Sequence, residues 1–346
     1  MNEERHIQEV KSATSLRFND LWQKNFQANR NAIQKNPGVV ALARKFKEVP
    51  AIIVGAGPSL DKNINLIGRA QGHSMILASD ASLKPLLLQG ILPSMVISLD
   101  PQEEVAKFFQ GVSHRGMTLI APSIIHPRVL DLWEGNVVFF HKHAPDIPVL
   151  VEIANQIPAI GRLTPGGSVL SIGYDLAFQS GANPIIFTGQ DLSYPKKKTH
   201  SRDSEDENIG LSDTIEKQRE NIVYETDVNG RSLPTLKSMS VSKQWFDWAF
   251  TTWKRPGPTT IINSSEAGIL TEHCSLMPLS EAIFKYCNKK INVEWAIKKS
   301  LNNKPRLIVQ ILGTPKPLPI FKCIRFIVKS VGSSHVISFV IPVTSA

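Results

Sequence analysis

The sequence predicts an α/β protein, a doubly wound and mostly parallel sheet of the Rossmann-like kind with a helical lead-in at its N-terminus. From Pro50 onward short apolar runs recur, and each is closed by a turn and followed by a segment with helical spacing. Continuous apolar runs are typical of strands buried on both faces, and their alternation with helices is typical of repeated βα units. The first run leads directly into the glycine-rich turn Gly55-Ala-Gly-Pro-Ser-Leu60.

The lead-in covers residues 3–35, which are polar with apolar side chains at loosely helical spacing. We interpret it as one or two helices that end before Asn36-Pro-Gly38 and as an appendage rather than a part of the core. Strands are predicted at Ala51–Val54, Met75–Ala78, Met95–Leu99, Met117–Ile120, Val137–Phe140, Ile185–Phe187 and Ile261-Ile262, and helices at 82–89, 102–110 and 240–254. Residues 193–234 form a long polar interruption, and after Asn302 the pattern assigns no element.

Composition places the chain among intracellular proteins. Its 346 residues suit one large domain or two unequal ones. The cysteines Cys274, Cys287 and Cys323 are widely separated and form no CxxC pair, which argues against a disulfide framework and a cysteine zinc site. The charged start and the lack of long apolar runs predict no secretory signal and no transmembrane segment, hence a cytoplasmic location.

The net charge of +9 is concentrated in the C-terminal part, where residues 283–346 hold eleven Lys and Arg and one acid, Glu294. No aromatic–basic interleaving accompanies this charge, so the sequence predicts a solvated tail and no nucleic-acid partner. Three segments follow: a helical lead-in over 1–48, a Rossmann-like nucleotide-binding catalytic domain over 49–288, and a basic C-terminal extension over 289–346 whose structure stays open.

The glycine-rich turn is the strongest local motif. Gly55 and Gly57 permit positive φ and the close approach of a ligand, while Pro58 and Ser59 suit the start of a helix. Backbone N–H groups at such a helix start bind phosphate. Leu60 stands where the dinucleotide fingerprint GxGxxG has its third glycine, so a phosphate site and a purely structural turn both remain open.

Polar residues follow three of the predicted strands. Asp80 and Asp100 end two of them, and Gln190-Asp191 ends a third. Because the carboxyl ends of parallel strands line the ligand crevice, the set predicts ligands for sugar hydroxyls or for a magnesium–phosphate group. For each acid alone, a helix cap explains the residue equally well.

Two further features complete the predicted site. Gly167 and Ser168 precede an apolar helix, as a second anion site or as a simple cap. His200 lies in the polar loop after Asp191 and is a candidate general base if that loop closes over the crevice. The residues establish no metal site and no cofactor, and Mg²⁺ stays open as a ligand of the acids.

Four motifs of this chain are GAGPSLD at 55–61, GILPSMVISLDP at 90–101, GGSVLSIGYDLAFQSGANPIIFTGQDLSY at 166–194, and Thr199-His200. Together they resemble the motility-associated factor family, the bacterial flagellin glycosyltransferases. The central domain of that family is similar to archaeal 6-hydroxymethylpterin diphosphokinase and, more remotely, to bacterial sialyltransferases that use CMP-sialic acid. The resemblance runs from about residue 17 to about residue 285, and Asn263–Gly268 looks like the family's late Asn–Gly motif.

The resemblance implies a role for each candidate residue. The nucleotide-binding set would be Gly55, Gly57, Pro58, Ser59, Asp80, Asp100, Gly167, Ser168 and Gln190, and the catalytic residues would be Asp191 and His200. The sequence departs from the sialyltransferase pattern at Lys237-Ser-Met-Ser240, where those enzymes carry a base histidine before a late helix. Residues 305–346 also differ from the C-terminal region of the flagellin-modifying members.

The function implied is that of a glycosyltransferase. It would move a nonulosonic, sialic-acid-like sugar from a CMP-activated donor to Ser or Thr of a protein such as flagellin. One alternative is pyrophosphoryl transfer from ATP to a pterin alcohol, with magnesium held by the acids, and another is a nucleotide-binding scaffold without catalysis. The sugar, the acceptor, the oligomeric state and the role of residues 305–346 stay open.

Overall fold

A computed structural model describes residues 2–195, 198–208, 211–302, 321–330 and 333–342, and within 2–16, 213–215 and the last two ranges it describes the backbone alone. The chain divides into two compact units, Met1–Lys298 and Lys299–Ala346. In the part of the chain that the structure describes, no helix is long and apolar enough to cross a membrane.

The first unit contains eleven described strands in chain order. They are β1 Ala51–Val54, β2 Met75–Ser79, β3 Met95–Ile97, β4 Thr118–Pro122, β5 Asn136–Lys142, β6 Arg162–Leu163, β7 Ile185–Thr188, β8 Ile222–Thr226, β9 Ser232–Leu236, β10 Ile261–Asn263 and β11 Ser275–Leu276. The α-helices are α1 Asn2–Lys35, α2 Leu60–Ile67, α3 Asp80–Leu88, α4 Pro127–Leu132, α5 Pro148–Gln156, α6 Val169–Ser180, α7 Leu211–Lys217, α8 Lys237–Thr252, α9 Leu279–Tyr286 and α10 Val293–Asn302. Short 3₁₀ segments lie at Val39–Leu42, Gly68–Ala70, Glu103–Phe109, Pro158–Ile160 and Arg219–Asn221.

Nine of these strands form one sheet in the order β11-β10-β7-β1-β2-β3-β4-β5-β6, with every neighbouring pair parallel. This confirms the predicted doubly wound α/β fold. The chain winds outward from β1 to β6 and returns through α6 to place β7 on the other side of β1. The topological switch point therefore lies between β1 and β7, where open α/β sheets bind their ligands.

The predicted strands are all present, with boundaries that shift by a few residues. Every residue of β1, β2, β4 and β7 is buried, as continuous apolar runs predict. The sequence pattern did not predict the two-residue strands β6 and β11 or the antiparallel hairpin β8–β9. Two residues are too few for periodicity to register, and the hairpin lies in the segment interpreted as polar loop.

The interpretation of the lead-in as an appendage is wrong. Side chains of α1 are fully buried in the same apolar cluster as residues of β4 and β5, among them Trp22, Phe26 and Ile33. Asn25 Nδ2 donates to the carbonyl oxygens of Pro101 (2.8 Å) and Ile124 (3.0 Å), and Asn29 Nδ2 donates to that of Ile125 (2.7 Å). The buried side-chain amides of α1 thus donate to backbone carbonyl groups in the loops that follow β3 and β4. Helix α1 therefore lies across the carboxyl ends of these strands.

The described part of the second unit is the end of α10, residues 299–302, and an antiparallel hairpin. Its strands are β12 Phe321–Ser330 and β13 Ser333–Pro342, paired from Phe321↔Pro342 to Ser330↔Ser333. The sequence assigned no element here, and residues 303–320, 331–332 and 343–346 of the predicted extension lie outside the described residues.

Candidate functional site

A cavity of about 190 Å³ lies at the carboxyl edge of β7, β1 and β2, at the switch point. Seven of the predicted residues line it: Gly55, Gly57, Asp80, Ser168, Gln190, Asp191 and His200. Pro58, Ser59, Asp100 and Gly167 lie nearby but not in the lining. The sheet therefore brings most of the predicted residues to one place, as expected from parallel strands that end at a common edge.

The glycines of the β1 turn are required by the neighbouring strand. A Cβ on Gly55 would lie 2.5 Å from the Gly189 carbonyl oxygen, and one on Gly57 would lie 2.7 Å from the same oxygen and 2.7 Å from Asp191 Oδ2. Neither residue has a positive φ. The sequence predicted glycine here for ligand approach and unusual φ, but close packing of the β1 and β7 ends is sufficient to require it.

Asp191 fastens this turn to the end of β7. The Ser59 backbone N–H donates to Asp191 Oδ2 at 2.8 Å, and the Ser59 hydroxyl donates to Oδ1. Burial raises the pKa of Asp191 to about 6, against the effect of the two hydrogen bonds from Ser59. Ser59 makes no side-chain cap for α2. Asp191 thus positions the glycine-rich turn, and Asp191 also lines the cavity.

Asp80 is a buried carboxylate that does not cap its helix. The cap of α3 is Ser79, whose side chain accepts from the Ser82 N–H. Asp80 accepts from Ser98 Oγ (2.7 Å) and from the Ala81 N–H (2.9 Å), and it is 6% exposed. Burial raises its pKa to about 6, with Asp100 and Asp206 adding to the rise. A buried charge that no helix cap requires is typical of a functional site.

Asp100 lies at the same sheet edge but is exposed. Its carboxylate accepts from the Gln102 backbone N–H at 2.9 Å and from the Gln102 side-chain amide at 3.3 Å. The sequence left open whether this acid binds a ligand or caps a local element. Its contacts are those of a residue that stabilises a local turn.

The N-terminus of α6 faces the cavity through Ser168, Val169 and Leu170. Ser168 Oγ accepts from the Leu170 N–H (3.2 Å), so Ser168 caps the helix. A helix of twelve residues presents a partial positive charge here that favours an anion.

The loop before α6 is held by a residue that the sequence analysis missed. Asp175 Oδ2 accepts from the Thr164 N–H (2.7 Å), and Oδ1 accepts from Gln179 Nε2 (2.8 Å). Burial raises the pKa of Asp175 to about 6. The one sequence signal was an aspartate and a glutamine four residues apart on an apolar helix. At Gly167, φ is +86° and a Cβ would lie 2.5 Å from Ser242 Oγ, so α8 packs closely on this loop.

Gln190 is braced by the Asn263–Gly268 segment. The Gln190 N–H donates to Ser265 Oγ (3.0 Å), and the Ser265 N–H donates to Asn263 Oδ1 (2.9 Å). The side-chain Nε2 of Gln190 is buried and finds no acceptor among the described residues. Buried amide donors are nearly always paired in native proteins, and Gln190 lines the cavity, so a ligand bound there is a candidate acceptor.

Residues 198–208, in the loop after Asp191, lie against the crevice. The Ser201 N–H donates to the Ala56 carbonyl oxygen (2.8 Å), and the Arg202 N–H donates to Asp61 Oδ1 (2.8 Å). Ion pairs add to these contacts: Lys84 Nζ lies 2.5 Å from Glu205 Oε1, Lys107 pairs with Asp206, and Arg202 Nε lies 3.6 Å from Asp61 Oδ2. We call residues 198–208 the lid.

The lid brings His200 to the cavity. Among the described residues that line the cavity, it is the one histidine, and its Nδ1 is buried without a partner in that part of the chain. Burial lowers the pKa of His200, an effect that Asp206 opposes. A neutral imidazole with a free nitrogen can accept a proton from a substrate hydroxyl. Met239 lines the cavity from α8, in the segment where the sialyltransferase pattern has its histidine.

Two other features concern the choice of site. Within the described ranges, no three His, Cys, Asp or Glu side chains come together in a way that would hold a metal ion. A larger cavity of about 580 Å³ lies at the opposite, amino edge of β2 and β3, where His73, Leu92 and Ile291 are among its lining residues. We assign the smaller cavity as the candidate site because it lies at the carboxyl edge and at the switch point.

Comparison with known proteins gives the following relatives. Residues 24–197, about half of the chain, match the profile of the 6-hydroxymethylpterin diphosphokinase MptE-like family. Two uncharacterised proteins of Treponema pallidum (strain Nichols) are similar in sequence. One is 29% identical over 201 residues, which cover 56% of this chain and 34% of that protein. The other is 32% identical over 94 residues, which cover 26% of this chain and 42% of that protein. The MAf glycosyltransferase from Magnetospirillum magneticum AMB-1 has a similar structure, with a TM-score of 0.54 and 21% identity over 75% of this chain and 38% of that one. The chain thus spans less than half the length of each of these relatives, and the structural likeness shows a shared fold.

Proposed function

The chain belongs to the 6-hydroxymethylpterin diphosphokinase MptE-like family, and from that membership we propose that it is a transferase acting on a nucleotide-linked substrate. The reaction we favour is transfer of a nonulosonic acid from a CMP-activated donor to a Ser or Thr hydroxyl of a protein such as flagellin. The name of the structurally similar MAf glycosyltransferase supports glycosyl transfer. The widely separated cysteines support a reducing, cytoplasmic setting.

The observation that carries the proposal is a pair of unsatisfied nitrogens on side chains that line the switch-point cavity. Gln190 and His200 both line it, Gln190 Nε2 and His200 Nδ1 are buried without partners among the described residues, and the N-terminus of α6 faces the same space. A helix N-terminus and an amide donor suit phosphate oxygens. An imidazole nitrogen suits a proton that leaves an attacking hydroxyl.

These groups support a direct displacement. The acceptor hydroxyl oxygen forms a bond to the anomeric carbon as the bond from that carbon to the phosphate oxygen breaks. The electron pair leaves with CMP, whose phosphate is stabilised by the α6 N-terminus and by the Gln190 amide. The hydroxyl proton passes to His200. Asp80 is close enough to the same cavity to accept a hydrogen bond from a hydroxyl of the donor.

The lid must move for the substrate to bind. The cavity volume of about 190 Å³ is below the range of roughly 300–1,000 Å³ that is usual for ligand pockets. The contacts of residues 198–208 with Ala56, Asp61, Lys84 and Lys107 therefore break, at least in part, as a nucleotide sugar enters. Closure behind the donor would exclude water, which would otherwise hydrolyse the activated sugar.

A second candidate function is favoured by the family's own description, 6-hydroxymethylpterin diphosphokinase. In that reaction a pterin alcohol attacks ATP and receives a pyrophosphoryl group. Asp80 would then be a ligand for the magnesium ion that accompanies the phosphates.

One assay distinguishes the two reactions. The protein is incubated with CMP-N-acetylneuraminic acid and flagellin, and separately with ATP, Mg²⁺ and 6-hydroxymethylpterin, and the release of CMP or AMP is measured. Release of CMP that requires flagellin, together with a mass increase of flagellin, is the expected result. Release of AMP that requires the pterin would establish the second function instead, and a protein that turns over neither pair would refute both.

A further inference from the structure

Lys142 is a cation at the carboxyl edge of the sheet. It has no role in the candidate site described above. It is the last residue of β5, it is half-buried, and its Nζ lies 5.4 Å from the ring centroid of the fully buried Trp22. In the part of the chain that the structure describes, Asp100 is the carboxylate whose charge acts on Lys142, and the two do not form an ion pair.

Holding a lysine there is unfavourable for the fold alone. Burial lowers the pKa of Lys142 to about 8, although Asp100 acts in the opposite direction. The amine is therefore still mostly protonated at neutral pH, in a place that disfavours its charge. The face of the Trp22 indole offsets a part of this cost through its attraction for the cation. An anion bound from outside would offset the remainder.

The position of Lys142 continues the candidate site along the sheet. The charge of Asp100 acts both on Asp80, in the cavity, and on Lys142, beyond it. β2 and β5 are separated by β3 and β4, which corresponds to about 14 Å at the usual strand spacing. A substrate that has its nucleotide at β1 and β2 would pass the ends of β3 and β4, beside α1, to reach Lys142.

We infer that Lys142, lying on the indole face of Trp22, binds a carboxylate of the substrate. This inference rests on the proposed function, because nonulosonic acids carry a carboxylate that neutral sugars lack. An acidic side chain of the protein acceptor offers the same chemistry, so the test has separate arms for donor and acceptor.

The test uses the full chain with Lys142→Met, which removes the charge and keeps an unbranched apolar side chain. Lys24→Met is the matched control, since Lys24 lies on the same helix as Trp22 and is exposed. Affinities for CMP and for CMP-N-acetylneuraminic acid are measured by calorimetry. If the donor supplies the carboxylate, Lys142→Met binds CMP-N-acetylneuraminic acid about 10-fold or more weakly, as for loss of a charged hydrogen bond, while its affinity for CMP stays within about twofold. Lys142→Arg retains most of the affinity, and Lys24→Met resembles the wild type.

In the acceptor arm, an acidic and a neutral acceptor peptide are compared. A KM that Lys142→Met raises about 10-fold for the acidic peptide alone, with donor affinity unchanged, assigns the carboxylate to the acceptor. Equal losses for CMP and CMP-N-acetylneuraminic acid, or no loss in either arm, would overturn the inference.

Binding of free N-acetylneuraminate, followed by NMR, separates this inference from the proposed function. If the wild type binds neither CMP nor its sugar conjugate, the proposed function fails. Binding of the free sugar acid that Lys142→Met abolishes would still uphold the carboxylate subsite, and its absence, or its persistence in Lys142→Met, would refute it.

Discussion

Asp80→Asn is expected to make the protein more stable at neutral pH and weaker in nucleotide binding. The Asp80 carboxylate is 6% exposed, and burial raises its pKa from 3.8 to about 6. The group therefore contributes stability that is fully present below pH 3.8 and is lost as the pH rises through about 6. At pH 7.5 the loss amounts to about 3 kcal/mol, since one pKa unit corresponds to about 1.4 kcal/mol.

The asparagine retains the local contacts without the charge. Its oxygen can accept from the Ala81 N–H, and its amide can donate to the Ser98 hydroxyl, which takes either role. We expect a gain of about 1–3 kcal/mol in the free energy of unfolding at pH 7.5 and under about 1 kcal/mol at pH 4. The melting temperature should rise by roughly 2–4 °C for each kcal/mol. Affinity for CMP should fall, because the carboxylate lines the cavity.

Thermal unfolding at both pH values and calorimetry with CMP measure these effects. Asp131→Asn is the control, since Asp131 is exposed on α4, and it should change neither stability nor affinity. A gain of equal size at pH 4 and pH 7.5, or no gain at pH 7.5, would refute the electrostatic reasoning. A gain in stability with unchanged CMP affinity would leave Asp80 as a structural residue only.

Three further predictions concern the base, the lid and the C-terminal unit. His200→Ala should lower turnover by roughly 10²- to 10⁴-fold while CMP affinity stays within a few-fold. The control His273→Ala, at an exposed position, should be as active as the wild type. A His200→Ala enzyme with full activity would exclude His200 as the base. Lys84→Met combined with Lys107→Met should speed hydrogen exchange of residues 198–208 by roughly 2- to 30-fold, because these two partly exposed ion pairs stabilise the lid by about 0.5–2 kcal/mol in total. Unchanged exchange would show that the contacts with Ala56 and Asp61 are sufficient to hold the lid. Deletion of residues 305–346 should leave the melting temperature and CMP affinity nearly unchanged, because the unit Met1–Lys298 contains the cavity and its surrounding core; loss of a cooperative thermal transition would contradict this.

The sheet and the convergence of its strand ends could be predicted because both follow from local pattern. Strands buried on both faces are apolar throughout, and parallel strands deliver the residues that follow them to one edge. Asp80, Gln190 and Asp191 reach the same cavity for this reason.

The partners of these residues could not be predicted, because the contacts join distant parts of the chain. Ser59 and Asp191 are 132 residues apart, and nothing near either one signals the other. The packing of the glycine-rich turn could not be predicted for the same reason. The sequence suggests that Gly57→Val would block phosphate binding and leave the fold intact, but the added side chain would clash with Gly189 and Asp191.

The place of α1 depended on contacts of the same kind. Its polar composition predicted an appendage outside the core, yet Asn25 and Asn29 are buried because their amides bind carbonyl groups of loops some 76 to 99 residues away. Buried side-chain amides with a full set of backbone partners are stable in a core, and a sequence pattern does not distinguish them from exposed ones.

The central claim is that the cavity between β7, β1 and β2 binds the phosphate of a nucleotide. A crystal structure of the protein with CMP tests it most directly. The phosphate is expected at the N-terminus of α6, within hydrogen-bonding distance of Gln190 Nε2. CMP bound instead in the cavity beside His73 and Leu92 would contradict it.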